Sequence, residues 1–316
     1  MIQAVCQHEN RSKHGKDRNG NQRYKCRRCG VTFLSEDNRP LGDMRLPIDK
    51  AVMVLKMLLE GMSIRACERI TGVKRDTICD LVLHVGGNCD RFLEANVKGV
   101  QAKFIEVDEI WDFVLCKQKT KEARGRTGDV GDSWTWLAID AESKMILAHH
   151  VGQRGESDCK KFLSRVNDAT VGRCQVTSDG LSTYTNNVPF TFGSRCSFAQ
   201  LIKNYKSSQS ETRYSPATIT SIEKKPRFGN PDNAHISTSY SERLNLSVRM
   251  HVRRFTRLTN AHSKSATHHA AMVAIFVAWY NFCRKHETVK GTPAMAAGLA
   301  EQKWSINELL TNIAIS

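Results

Sequence analysis

The sequence predicts an α+β fold, a mixed α/β sheet domain preceded by two small units, and three observations carry that expectation. Residues 103–179 read as strand, strand, strand, helix, strand; residues 47–85 carry apolar side chains at helical spacing; and residues 6–33 gather cysteine and basic residues around a Cys-x-x-Cys pair. A length of 316 residues allows two or three domains, and 40% hydrophobic residues supply a core. Forty-seven Lys and Arg against 32 Asp and Glu leave a net charge of +15, which attracts polyanions, nucleic acid first among them. No charged leader followed by an apolar stretch opens the chain. The most apolar run, Ala270–Cys283, is shorter than the ~20 residues of a spanning helix. It reads as a buried helix, so no membrane partner is expected. Eleven cysteines without a signal peptide point to reduced thiols in the cytoplasm, so clustered cysteines read as metal ligands.

The first element is CQHENRSKHGKDRNGNQRYKCRRCGVTF. Cys26 and Cys29 form one knuckle, with Gly30 permitting its tight turn; Cys6 and His8 stand upstream as the second pair, with His14 as the alternative to His8. Two such pairs give Zn²⁺ four N/S ligands and fold a segment too small for its own core. A basic arm without metal is the competing reading.

From Leu46 the apolar spacing is helical, with breaks at Gly61 and Gly72 and Ser63 at an N-cap position. Three short helices are expected, the last two over Ser63–Ile70 and about Arg75–Val85, joined by the Thr71-Gly72-Val73 turn. That is the layout of a helix-turn-helix, whose second helix would present Lys74, Arg75 and Thr77 to DNA. An ordinary helical hairpin has the same pattern.

KFIEVDEIWDFV, DSWTWLAID and KMILAHHV then read as three strands, a helix lies within SDCKKFLSRVNDA, and RCQVTSD reads as a fourth strand. This order opens an RNase H-like α+β sheet, in which two adjacent central strands would carry Asp108 and Asp179. Close carboxylates repel, and Mg²⁺ or Mn²⁺ is the usual reason to gather them. Asp179 also sits in an Asp-Gly turn, where Gly180 is expected to give the backbone room. Glu106, Glu109, Asp112 and Asp140 are neighbouring acids with supporting or surface roles. Trp111, Trp134 and Trp136 read as core, and His149-His150 and His268-His269 as structural pairs.

DEIWDFV at 108–114, SDGLSTY at 178–184 and SERLNLSVRMHVRRFTRLTNAHSKS at 241–265 resemble the catalytic motifs of the Insertion Sequence One family of bacterial DDE transposases. The basic Cys-rich start and helix-turn-helix resemble that family's DNA-binding N-terminus, and YNFCRKHETVKGTPAMAAG at 280–298 resembles a C-terminal segment of some members. The resemblance implies Asp108, Asp179 and Glu242 as a triad holding two Mg²⁺ or Mn²⁺ ions. It also implies cleavage and strand transfer on duplex DNA, at element ends and target, by a homo-oligomer at the bacterial nucleoid.

Glu242 is expected on a helix because of the resemblance; Leu244, Leu246, Val248, Met250 and Val252 alternate as in a strand. Ser239 and Glu242 also fit a capping box. Arg243, Arg249, Arg253 and Arg254 would meet DNA phosphates or form a solvated basic face. The Asp179–Glu242 interval is longer than in compact members. The expected organisation is a zinc-ribbon-like segment over 1–40, a helix-turn-helix over 41–95, and a catalytic domain over 100–290 with an insertion at about 186–236. A C-terminal tail follows over 291–316. An RNase H-like nuclease without strand transfer and a zinc-ribbon/helix-turn-helix regulator are the alternatives.

Overall fold

The computed structural model describes residues 10–17, 22–34, 40–205, 219–256 and 259–314. Strands β1 (Arg11–Lys16), β2 (Gln22–Cys26) and β3 (Thr32–Leu34) form an antiparallel sheet in that order. Buried Cys26 ends β2, and its carbonyl accepts the Gly30 amide at 2.9 Å, closing a tight turn around the exposed Cys29. Gly30 has φ 74°, a region glycine enters at little cost. His14 is exposed on β1, while Cys6 and His8 lie outside the described residues.

Helices α1 (Ile48–Leu59), α2 (Ile64–Thr71) and α3 (Arg75–Asn96) follow. Ser63 caps α2 by accepting the Ala66 amide at 3.2 Å, and α2 stops at Gly72, φ 72°. Helix α3 runs 22 residues, well past the expected end near Val85. The reason is tertiary: a Cβ at Gly86 would lie 2.5 Å from Ala271, so the missing side chain lets α3 abut a later helix rather than ending it.

The six-stranded sheet is mixed. Strands β4 (Phe104–Val114), β5 (Gly131–Asp140) and β6 (Ile146–Gly152) form an antiparallel meander, with α4 (Gln118–Ala123) in the first connection. Helix α5 (Glu156–Ala169) crosses to β7 (Cys174–Ser178), parallel to β4, and α6 (Thr183–Phe192) crosses to β8 (Cys196–Tyr205), parallel to β7. Strand β9 (Ile219–Phe228) closes the edge antiparallel to β8, giving the order β6-β5-β4-β7-β8-β9. Every residue of β7 is buried, as parallel pairing on both sides requires. The expected insertion at 186–236 thus holds most of α6 and two sheet strands; 206–218 lie outside the described residues.

Helix α7 (Ser239–His251) leads to α8 (Ala266–Phe282), buried on nearly all sides. Asn281 of α8 clamps β6, donating to the Ile146 carbonyl and accepting its amide, both at 2.9 Å. Among the described residues no helix is long and apolar enough to cross a membrane. The stretch expected as a tail forms α9 (Pro293–Ala296) and α10 (Ile306–Ala314), and α10 packs Leu309, Leu310 and Ile313 against α1, α3 and α8. Of the three tryptophans only Trp136 is fully buried; Trp111 and Trp134 are half-buried beneath Lys117 (5.6 Å) and Arg154 (4.7 Å).

Candidate active site

Register brings the first two acids together. Strands β4 and β7 are adjacent and parallel, with Val107 beside Ser178, so Asp108 and Asp179 lie side by side one residue further on. Asp179 leaves the sheet in a turn: its Oδ1 accepts the Leu181 amide at 2.9 Å. Buried Gln200 of β8 holds that turn, donating to the carbonyls of Asp179 (2.9 Å) and Leu181 (3.0 Å). Gly180 is not what makes the turn possible. A Cβ there would meet Ile202 at 3.6 Å, an ordinary contact, and its φ is unremarkable for any residue.

Asp108 is fixed at both oxygens. Its Oδ1 accepts the Glu109 amide (2.9 Å) and its Oδ2 accepts Asn245 Nδ2 from α7 (2.7 Å). Burial first, and the charges of Glu109 and Asp179 second, push its carboxyl up to about 7, against these two hydrogen bonds. Glu109 joins the pair: oxygens of Asp108, Glu109 and Asp179 lie within 4.8 Å of one another. Its side chain is 1% exposed and is held by Arg154, Nε at 2.7 Å and Nη2 at 2.6 Å, and by the Tyr184 hydroxyl at 3.1 Å. Burial and the Asp179 charge still raise the Glu109 carboxyl above its ordinary range. Arg154 lies over Trp134, with Nη2 3.8 Å from Asp179.

Glu242 is on a helix, one turn before Asn245, and so stands beside the cluster rather than in it. Its half-exposed carboxylate pairs with Lys203 of β8 and accepts the Thr238 hydroxyl at 2.7 Å. The capping box expected from Ser239 and Glu242 is not formed. Instead Glu106 of β4 caps α7, its Oε2 accepting the amides of Tyr240 (2.8 Å) and Ser241 (2.9 Å). A carboxylate at a helix N-terminus satisfies orphan amides and opposes the dipole's positive end. Sheet and helix are thereby joined at two points of one strand, Glu106 at the start of α7 and Asp108 one turn on.

The remaining sequence-derived residues are dispersed. Lys74 and Arg75 are exposed at the start of α3 and Thr77 half-buried there, with Arg75 Nε 3.1 Å from Asp76. Arg243 and Arg253 are exposed, Arg249 and Arg254 half-buried. His149 and His150 face Asp90 (3.2 Å) and Asp158 (2.8 Å), and His269 contacts Ser263 (2.8 Å), all structural contacts.

The chain is distantly similar to an insertion-element protein. Insertion element iso-IS1n protein InsB of Shigella dysenteriae is 23% identical over 181 residues, spanning 57% of this chain and 98% of that protein. The cryo-EM structure of the piggyBac transposase synaptic complex with hairpin DNA covers 85% of this chain and 70% of its own, with TM-score 0.37 and 10% identity. No protein-family model matches the chain.

Proposed function

We propose that the chain is a DDE-type transposase of an insertion element, which binds element ends and performs metal-dependent DNA cleavage and strand transfer. The observation that carries this reading is the meeting of Asp108 and Asp179 on adjacent parallel strands, with α7 braced on Asp108 through Asn245 and bearing Glu242 one turn away. Similarity to an insertion-element protein supports it.

The acidic residues fit a divalent cation. Their donors are all oxygen, as Mg²⁺ and Mn²⁺ prefer, and oxygens of Asp108, Glu109 and Asp179 lie within 4.8 Å of one another, a gathering of carboxylates that such an ion would relieve. Asp108, Asp179 and Glu242 would hold one or two ions, which supply activation of water or a 3′-hydroxyl and stabilisation of the leaving oxygen. The Glu109 amide and Asn245 aim the Asp108 oxygens, and the Leu181 amide aims Asp179. Arg154, anchored on buried Glu109, offers a cation beside Asp179 to a non-bridging phosphate oxygen. For Glu242 to face Asp108 its carboxylate must leave Lys203, an exchange the half-exposed position of Glu242 allows.

The N-terminal parts serve end binding in this reading. Cys26 and Cys29, with Cys6 and either His8 or His14, would hold a Zn²⁺ that orders the β1–β3 segment, and the α2–α3 pair forms the helix-turn-helix presenting Lys74, Arg75 and Thr77. Arg243, Arg249, Arg253 and Arg254 follow Glu242 along the path of the DNA, and a second copy of the chain completes the assembly on two ends. A duplex carrying the element's end, incubated with the full chain, Mg²⁺ and a target plasmid, tests the function. Joined end–target product is expected. Nicking without joining would make the protein an RNase H-like nuclease, and tight binding without cleavage would make it a regulator.

A further inference from the structure

A second feature lies away from the acidic cluster: a half-open cleft of about 790 Å³ between the α2–α3 pair and the segment joining α7 to α8. Five permanent cations line it, Arg65 and Arg75 on one wall and Arg253, Arg254 and Lys264 on the other, and among the described lining residues there is no carboxylate. Two helices also begin at this cleft. Ser63 caps α2 and Ser265 caps α8, and both serines are in its lining, so the positive ends of two helix dipoles open into it. The cations crowd one another. Lys264 contacts His262, whose basicity is lowered by burial and by Lys264, and His268 is lowered by burial and by Arg254. Acids stand outside the lining and answer part of this charge: Asp76 (3.1 Å) and Glu68 act on Arg75, Asp112 on Arg254 and Asp80 on His268.

The cleft has a floor as well as a rim. Leu58, Ile64, Val82 and Met272 line its depth. A site of this volume with an apolar floor suits a chain of alternating phosphates, sugars and bases better than a single small anion. Its position favours the same occupant. One wall is the start of α3; the other begins two residues after α7, whose earlier turns bear Asn245 and Glu242 about 9 and about 14 Å back along the helix from His251.

We propose that this cleft seats the sugar–phosphate backbone of DNA between the segment met by α2–α3 and the acidic cluster, with Arg65 and Lys264 as phosphate-binding residues. The proposal rests on the transposase reading and extends it to Arg65 and Lys264 as phosphate contacts and to a path for the backbone. Phosphate contacts release counterions, so each one lost lowers the slope of log affinity against log salt by about one.

The test uses the full chain and a duplex of the element's end. Lysine-reactive labelling with mass-spectrometric readout on the wild-type protein is expected to show Lys264 protected by the duplex while Lys160, exposed on α5, stays reactive. In anisotropy titrations Arg65→Glu and Lys264→Glu are each expected to weaken binding about tenfold and lower the salt slope by one to two, with Arg65→Lys close to wild type. Lys160→Glu is the control, within about threefold of wild type. Absence of duplex binding by the wild type overturns the functional reading itself. Binding with Lys264 unprotected overturns the cleft alone, whether or not the variants fold. Protection by tripolyphosphate but not by the duplex assigns the cleft to a small polyanion and also overturns the proposal.

Discussion

Replacing Asp108 by Asn is expected to stabilise the metal-free protein, because the cluster is built against itself. The Asp108 carboxyl is pushed from an ordinary 3.8 up to about 7. That displacement, about three pH units at about 1.36 kcal/mol each, sets a ceiling of about 4 kcal/mol on the cost of holding Asp108 ionised at pH 8. Asn at 108 cannot accept from both the Glu109 amide and Asn245 as the carboxylate does, and one hydrogen bond lost returns about 1 kcal/mol. A net gain of at most about 3 kcal/mol remains, or about 4 °C in melting temperature for a chain of this size. The sign follows from proton binding. With the folded pKa raised, the native state holds a proton that the unfolded state releases between 3.8 and about 7, so wild-type stability falls as pH rises through that window. The variant escapes this loss. In EDTA its advantage is expected in full at pH 8 and absent near pH 4. Mg²⁺ should raise the wild-type melting temperature and leave the variant's unchanged, closing the gap. A variant that melts at or below wild type at pH 8, or a gap that persists at pH 4, would refute the reasoning.

Arg154→Ala leaves Glu109 buried without its cation, and calorimetry is expected to show a loss of about 3 kcal/mol at pH 8 that shrinks as acid protonates Glu109; Arg154→Lys should recover part of it. Gly86→Ala drives a methyl to 2.5 Å from Ala271 and should cost about 3 kcal/mol in chemical denaturation, whereas an equal stability would mean that α3 and α8 do not meet there. Metal analysis of the full chain should find one Zn²⁺ per chain, lost in Cys26→Ser; a wild-type protein without zinc removes the ribbon. Replacing Lys74 and Arg75 together by Ala should weaken binding to end DNA and flatten its salt dependence, and an unchanged slope would place DNA elsewhere.

How much of this was legible in the sequence depended on whether the signal was local. The strand carrying Asp108, the strand that ends just before Asp179 and the helix between them announce themselves by β-rich composition and 3.6-residue periodicity within single stretches, and the structure places them within a residue or two. Helix α7 was different, since its apolar residues alternate as in a strand. What makes it a helix is partly remote: Glu106, far back in the chain, caps it. For the same reason the Ser239–Glu242 capping box misled, and α3 was expected to end near Val85 although it runs on past Gly86, which meets α8. Glu109 was visible beside Asp108, but its neighbours were not. Tyr184 stands unmarked within SDGLSTY, Asn245 is one helical turn past Glu242, and nothing local distinguishes Arg154, which reaches Glu109 only because β4 and the β6–α5 turn are folded together.

The central claim is that Asp108 and Asp179, with Glu242, form one DNA-cleaving centre. The most direct measurement is cleavage and strand transfer of end DNA in Mg²⁺ by Asp108→Asn, Asp179→Asn and Glu242→Gln, each first shown to bind that DNA as wild type does. Each substitution keeps side-chain size and removes a charge, so each is expected to lower both steps by at least about a thousandfold. Full activity in Asp108→Asn or Asp179→Asn would contradict the account outright; full activity in Glu242→Gln alone, with Glu109→Gln inactive, would move the third acid from α7 to β4.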